Sequence, residues 1–203
     1  LFILSDSPPE RDINWSISGI NGAWKFTQKF WRVVYDCHDV FDVNLTNRPP
    51  KFSPSSNQLR KNVHKYLKAI TNSIDAFQMN VAVANIHQLT SEINNFKPTS
   101  EEEKWSLKEA LVILLRVTEP MMPHLVEECW ALLGNTKSII EKDWPKYEES
   151  LLINNNAKII VQVNGKKRGE LNLPINTSEQ DVLNEAMKLD NICLLYTSPS
   201  PRD

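Results

Sequence analysis

The chain has 203 residues, with 23 Lys and Arg against 25 Asp and Glu and a formal net charge of −2. Hydrophobic residues make up 41% and charged residues 24%. That balance excludes a disordered polyelectrolyte, and no apolar run reaches the ~18–20 residues of a membrane span. Near-neutral charge also excludes a basic footprint over the whole domain, so any nucleic-acid contact has to come from local patches.

The chain opens on Leu1-Phe2-Ile3-Leu4, which reads as a short apolar strand. Ser5-Asp6-Ser7-Pro8-Pro9 then reads as a turn, because two prolines stop a helix. With no basic n-region, no cleavage site and no initiator Met, this opening is not a signal peptide and is expected to be cut from a longer chain. Residues 16–38 carry Ile20, Ala23, Phe26, Phe30, Trp31 and Val34 at helical spacing, with Lys25, Lys29 and Arg32 between them. Residues 44–56, holding Pro49, Pro50 and Pro54, read as a loop.

Residues 57–77 predict a second helix, with Leu59, Val63, Tyr66, Leu67, Ile70, Ile74 and Phe77 on one face. Arg60, Lys61, Lys65 and Lys68 form its polar side. Asn80 is expected to cap a third helix with the stripe Ala82, Ile86, Leu89 and Ile93. Thr99-Ser100-Glu101-Glu102-Glu103 offers two overlapping capping boxes for a fourth helix, running through Trp105, Leu111, Leu114 and Leu115 to about Thr118. Pro120 and Pro123 break it. Pro123 starts a fifth helix, His124 to Leu133, which Gly134 ends.

The period then changes. Lys158 to Val163 is a β-rich run, Asn164-Gly165 is a strong hairpin signal, and Lys167 to Leu173 forms the return strand up to Pro174. Thr177-x-x-Gln180 is a capping box for a last helix with Val182, Leu183, Ala186 and Leu189. Asn154-Asn155-Asn156 reads as the linker to this ββα unit, which is too short for a core of its own and is expected to be incomplete. Residues 193–203 match one reading frame of a transposase adapter used in sequencing libraries. They are expected to be an artefact and no part of the fold.

Residue spacing alone points away from catalysis. The four histidines, His38, His64, His87 and His124, belong to no HExxH motif, and there is no GxSxG, Walker A or GxGxxG pattern. Cys37, Cys129 and Cys193 are odd in number and show no CxxC spacing, which argues for free thiols in a reducing compartment, without a disulfide framework or zinc site. Lys158, Lys166, Lys167 and Arg168 against Glu170 give +3 within 158–170. Such a hairpin is either a solvated turn or a point where a phosphate backbone is met. The same two readings hold for the helical cations Arg32, Arg60, Lys61 and Lys65. Trp24, Trp31, Trp105 and Trp130 recur with other apolar residues and read as core anchors, in preference to base-stacking platforms.

Several segments carry a resemblance. Pro120-Met121-Met122-Pro123-His124-Leu125-Val126-Glu127-Glu128-Cys129-Trp130 resembles the P-x-x-P-H-x-x-E-E-x-W helix in class I aminoacyl-tRNA synthetases for leucine, isoleucine and valine. Trp144-Pro145-Lys146-Tyr147-Glu148 resembles the W-P signature that follows it. Val161-Gln162-Val163-Asn164-Gly165-Lys166-Lys167-Arg168-Gly169 is similar to the hairpin of bacterial-type leucyl enzymes in particular. Pro8 to Trp15, Gly19-x-x-Gly22-Ala23-Trp24-x-Phe26, His64-Lys65 and Phe77 to Ala84 resemble successive stretches of the same family.

The resemblance implies a mainly α fold, in which an anticodon-binding-type helical bundle is followed by a truncated ββα (α+β) C-terminal unit. It divides the chain into the end of the catalytic-core linker (1–15), the bundle (16–153), the start of a tRNA-contacting C-terminal domain (154–192) and the adapter-like tail (193–203). The implied parent joins leucine to tRNA(Leu) through leucyl-adenylate, using ATP with Mg²⁺. The His-Ile-Gly-His and Lys-Met-Ser-Lys-Ser signatures and the editing domain are absent here, and the family places them N-terminal to residue 1. The expected role is therefore to position tRNA for catalytic and editing domains held in cis, with no catalytic residue, cofactor or metal in this stretch, which alone is inactive. The expected tRNA contacts are Lys158, Lys166, Lys167, Arg168, Arg32, Arg60, Lys61 and Lys65, in a monomeric, cytoplasmic protein that does not meet a membrane. Two alternatives remain at this point: an isoleucyl, valyl or methionyl relative, and a non-catalytic helical RNA-binding or scaffold protein.

Overall fold

Hydroxyl residues and prolines between the apolar stripes set where the helices begin. The computed structural model describes residues 1–42, 47–153, 156–163, 166–175 and 177–189. The chain divides into two units, Leu1–Leu152 and Ile153–Asp203.

The first unit is a helical bundle. Its chain runs through α1 (Phe2–Asp6), α2 (Ile17–Asp36), α3 (Asp39–Asp42), α4 (Pro54–Asp75), α5 (Met79–Asn95), α6 (Glu101–Thr118), α7 (Pro123–Leu132), a 3₁₀ turn (Ile139–Glu141) and α8 (Glu149–Leu152). Ser16, Ser53 and Ser100 cap α2, α4 and α6, each hydroxyl accepting a backbone N–H three residues on. Pro54 and Pro123 occupy the first turns of α4 and α7, where a missing N–H costs nothing. At the end of α7, Gly134 takes φ +80°. Its N–H donates to Ala131 O, and Asn135 N–H donates to Trp130 O, closing a Schellman cap.

Helix α4 packs against both α5 and α6, and α2 packs against α5 and α7. Phe30, Leu67, Ile70, Ile86, Leu89 and Leu114 are fully buried between them. Each such side chain contributes about 1.5–3 kcal/mol of hydrophobic stabilisation.

Several expectations need correction here. Leu1–Leu4 does not form a strand. Among the described residues the only sheet is the C-terminal hairpin, whereas one helical turn brings Leu1 and Leu4 together against the core beside α5. Helix α4 starts at Pro54, inside the expected loop, and ends at Asp75. Phe77 is left exposed at φ +59°. It holds the left-handed position of a second Schellman cap, with Phe77 N–H donating to Ile74 O and Gln78 N–H to Ser73 O. Asn80 lies inside α5, which begins with no side-chain cap.

The tryptophans also divide. Trp130 is buried, its Nε1–H donating to Lys137 O, but Trp24 is 62% and Trp31 37% exposed. The α2 core face is Phe26, Phe30, Val33 and Val34, roughly opposite Trp24.

The second unit is a two-stranded antiparallel sheet with a helix. Strand β1 (Asn156–Val163) pairs with β2 (Lys166–Pro174), from Asn156↔Pro174 to Val163↔Lys166. The expected Asn164-Gly165 turn lies outside the described residues. The register shifts between Val161↔Gly169 and Gln162↔Lys167, so Arg168 is the extra residue of a β-bulge. Helix α9 (Glu179–Met187) packs on β2. A Cβ on Gly169 would come within 2.6 Å of Leu189, so glycine is what lets the helix end approach the strand. The cap of α9 is Ser178 with Asp181, one residue past the expected Thr177–Gln180 box. Residues 193–203 lie outside the described residues.

Candidate nucleic-acid interface

A phosphate-binding surface needs cations that are exposed and not fully neutralised. In the first unit, Arg32 on α2 and Lys61 and Lys65 on α4 meet the first condition. Lys61 and Lys65 share one face of α4, and Lys68, seven residues past Lys61, returns to about the same side. Lys68 is drawn toward Glu149 (3.6 Å) and stands over the Tyr147 ring. On α2, Lys25 and Lys29 accompany Arg32, with Lys29 Nζ donating to Ser91 Oγ at 3.0 Å.

Arg60 departs from the expected polar face. It is 2% exposed, one residue short of Lys61 and about 100° round the helix from it. Its Nε donates to Glu109 Oε2 at 2.6 Å, and its Nη2 donates to Glu109 Oε1 at 3.2 Å and Glu148 Oε1 at 2.8 Å. Its guanidinium lies over the Phe52 ring at 4.2 Å, with Trp105 on a further side at 5.7 Å. Arg48 clamps the same Glu148 with two bonds of 2.7 and 3.0 Å. The Arg60 charge is therefore consumed inside the bundle and offers nothing to a phosphate outside it.

His64 completes this cluster. Glu148 N–H donates to His64 Nδ1 at 3.1 Å, so Nδ1 bears the lone pair and the neutral ring carries its proton on Nε2. Nε2 stands 3.7 Å from Glu109 Oε1, beyond hydrogen-bond reach. Burial pushes the Glu109 carboxyl up, but His64 and Arg60 beside it prevail and hold it below its ordinary value. Glu148 is likewise held down, chiefly by its bond from Arg48, against the same effect of burial.

His64, Glu109 and Glu148 converge closely enough to suggest metal ligands. The tautomer argues against it: a metal on Nε2 would force the proton onto Nδ1, against the Glu148 N–H. Arg60 also occupies both carboxylates, so a cation would add charge to a buried cation.

In the second unit, Lys166 and Lys167 are exposed beside the hairpin end and Arg168 is half-buried in the bulge. Lys167 is ion-paired with Glu170, which reduces the net charge presented there. Lys158 lies in β1 opposite Asn172, and its side chain falls outside the described residues. The structure thus groups Lys166, Lys167 and Arg168 at one place and Lys61 and Lys65 at another, and withdraws Arg60.

Other candidates from the sequence are structural. Cys129 is a free thiol, and burial pushes it up to about 12; Cys37 is also free and raised by burial. Cys193 lies outside the described residues. His87 stacks on Phe26 at 3.6 Å, and desolvation lowers its pKa. Among the described residues no helix is long and apolar enough to cross a membrane.

Residues 57–183 match a family described as the anticodon-binding domain of tRNA ligase. A leucine–tRNA ligase of Parvibaculum lavamentivorans is 38% identical over 191 residues, covering 94% of this chain and 22% of that protein. One from Azorhizobium caulinodans is 33% identical over 208 residues, covering 99% of this chain and 24% of that protein. The structure of the ternary complex of Agrobacterium radiobacter K84 agnB2 LeuRS-tRNA-LeuAMS superposes with a TM-score of 0.78 at 21% identity, over 100% of this chain and 26% of that one. That last likeness carries the fold, mainly helical with a small antiparallel sheet. The chain spans about 22% of the length of the first of these relatives.

Proposed function

The chain belongs to the anticodon-binding domain family of tRNA ligases, and on that footing we propose that it is the tRNA-contacting part of a leucine–tRNA ligase. The observation that carries the reading is 38% identity to a leucine–tRNA ligase over 94% of the chain. The parent would activate leucine with ATP and Mg²⁺ in the cytoplasm, as a monomer, and pass it to tRNA(Leu). Catalytic and editing domains elsewhere in that parent would do the chemistry.

The described residues build no glycine-rich loop for the triphosphate of ATP. Among the described glycines, Gly19 and Gly22 lie inside α2, Gly134 caps α7 and Gly169 packs under Leu189, so none lines a phosphate cradle.

This region instead holds the tRNA body. Lys166, Lys167 and Arg168, with Lys158 on the neighbouring strand, neutralise backbone phosphates at the hairpin. Arg32, Lys61 and Lys65 do so on the bundle. Such contacts orient the acceptor end without reading sequence, so their energy is spent on positioning.

The test replaces Lys166 and Lys167 by Glu in the full-length ligase. The KM for tRNA rises about tenfold at moderate salt, and the salt dependence of binding becomes shallower by roughly one unit for each phosphate left without its cation. Leucine-dependent ATP–pyrophosphate exchange stays unchanged. An unaltered KM for tRNA overturns the assignment of the hairpin.

A further inference from the structure

Between α6 and the segment 145–148 lies a cavity of about 330 Å³ that the RNA-binding reading leaves unused. Its wall includes His64 from α4, Trp105, Lys108 and Arg116 from α6, and Lys146 from the segment. Glu109 and Glu148 also line it, but Arg60 and Arg48 already engage both. Lys108, Arg116 and Lys146 therefore set the sign of the wall. Lys108 lies over the Phe41 ring, and Asp143 offsets part of the Arg116 charge.

The donors in this wall are incompletely used. His64 is 2% exposed, and its Nε2, which carries the proton, makes no hydrogen bond among the described residues, the carboxylate oxygen Oε1 of Glu109 standing 3.7 Å from it. The buried Nε of Arg116 makes none either. Burial pushes the Arg116 guanidinium below its ordinary value, the mark of a cation whose neighbours do not fully compensate it. Buried N–H groups are rarely left unpaired, and a wall of spare donors with a positive balance selects a ligand that only accepts and carries negative charge.

We propose that this cavity binds a phosphate group, with Arg116 and Lys146 supplying charge and His64 Nε2–H supplying a directed donor. Its volume falls at the lower end of the ~300–1,000 Å³ of small-molecule sites, larger than a bare phosphate fills. The ligand is therefore a phosphate ester, either a free mononucleotide or one nucleotide of an RNA. None of the hairpin or α2 cations takes part, so the site stands whether or not those touch tRNA.

The 203-residue chain, labelled in its histidine rings, is titrated at constant ionic strength with inorganic phosphate, 5′-AMP and an RNA stem-loop. The His64 Nε2 resonance moves saturably with at least one of these probes, and Lys146→Ala weakens that binding about tenfold, as expected for one charge-assisted contact. Arg116→Gln does the same, and Lys188→Ala, outside the cavity, does not. Lys146 is exposed, so its variant keeps the fold and carries the test if Arg116→Gln does not fold. Saturation by AMP marks a free ester, and saturation by the stem-loop alone marks an RNA phosphate. No saturable shift with any probe at millimolar concentration, or equal affinity in Lys146→Ala, overturns the site.

Discussion

Helices α2 and α4, 20 and 22 residues long, face one core and sort their side chains in opposite ways. Helix α4 takes Ser56, Arg60, His64 and Ser73 inside, while α2 leaves Ile17, Trp24, Trp31 and Tyr35 along its outer face. Those four recur at seven- and four-residue intervals, which return to one side of a helix. Burial thus follows angular position, and the cost of burial follows partners. An arginine inside α4 is tolerable because two carboxylates and two aromatic rings meet it.

The sharpest way to break this comparison is to remove the buried charge. Arg60→Ala strands Glu109 next to a void, leaves Glu148 to Arg48 alone, and costs about 3 kcal/mol in urea unfolding. Arg60→Met with Glu109→Leu recovers most of that loss, because the desolvation cost leaves with the pair. If Arg60→Ala unfolded at the wild-type midpoint, the cluster would carry no stability and α4 would differ from α2 only in composition.

Acid should act on the same side of the comparison with smaller effect. Glu103 in the first turn of α6 accepts from the Ser55 hydroxyl, from Thr99 N–H at 2.7 Å and from the Thr99 hydroxyl at 2.8 Å. These bonds, led by that from Ser55, pull its pKa down to about 2. A carboxyl so depressed stabilises the fold fully above its unfolded value of about 4.3 and ceases to do so as pH falls through about 2. Stability measured from pH 6 downward should therefore decline in this window. Glu103→Gln should flatten the decline and, at neutral pH, cost about 1 kcal/mol, the usual net size of a hydrogen bond. Glu109 and Glu148, also held low, leave the variant a residual slope.

How far these features could be read from sequence depends on how local their causes are. Ser100, Pro123 and Gly134 mark helix ends correctly because caps are settled within four residues. The basic hairpin was legible for the same reason, although the bulge at Arg168 was not, since it is a matter of register with β1. Arg60 looked like its neighbour Lys61 because its partners Glu109 and Glu148 lie 49 and 88 residues away. His64 reads in sequence as a histidine of the His64-Lys65 resemblance and shows nothing of its bond from Glu148 N–H, which spans 84 residues. On α2 two apolar stripes competed, and spacing alone did not say which one met the core.

That outer stripe supplies the weakest and most discriminating prediction. Trp24 is 62% exposed, so Trp24→Ser removes little buried area and should shift the unfolding free energy by no more than about 0.5 kcal/mol. The hydrophobic return on a side chain scales with area withdrawn from water, and here that area is small in the chain by itself. A loss of several times this size would mean that something covers the face in solution. A dependence of the loss on protein concentration would then point to a second copy as the cover, by mass action. The contrast with Arg60→Ala is quantitative: an aromatic outside should matter less than a charge inside, because the charge has half-buried partners to abandon and the tryptophan has only solvent.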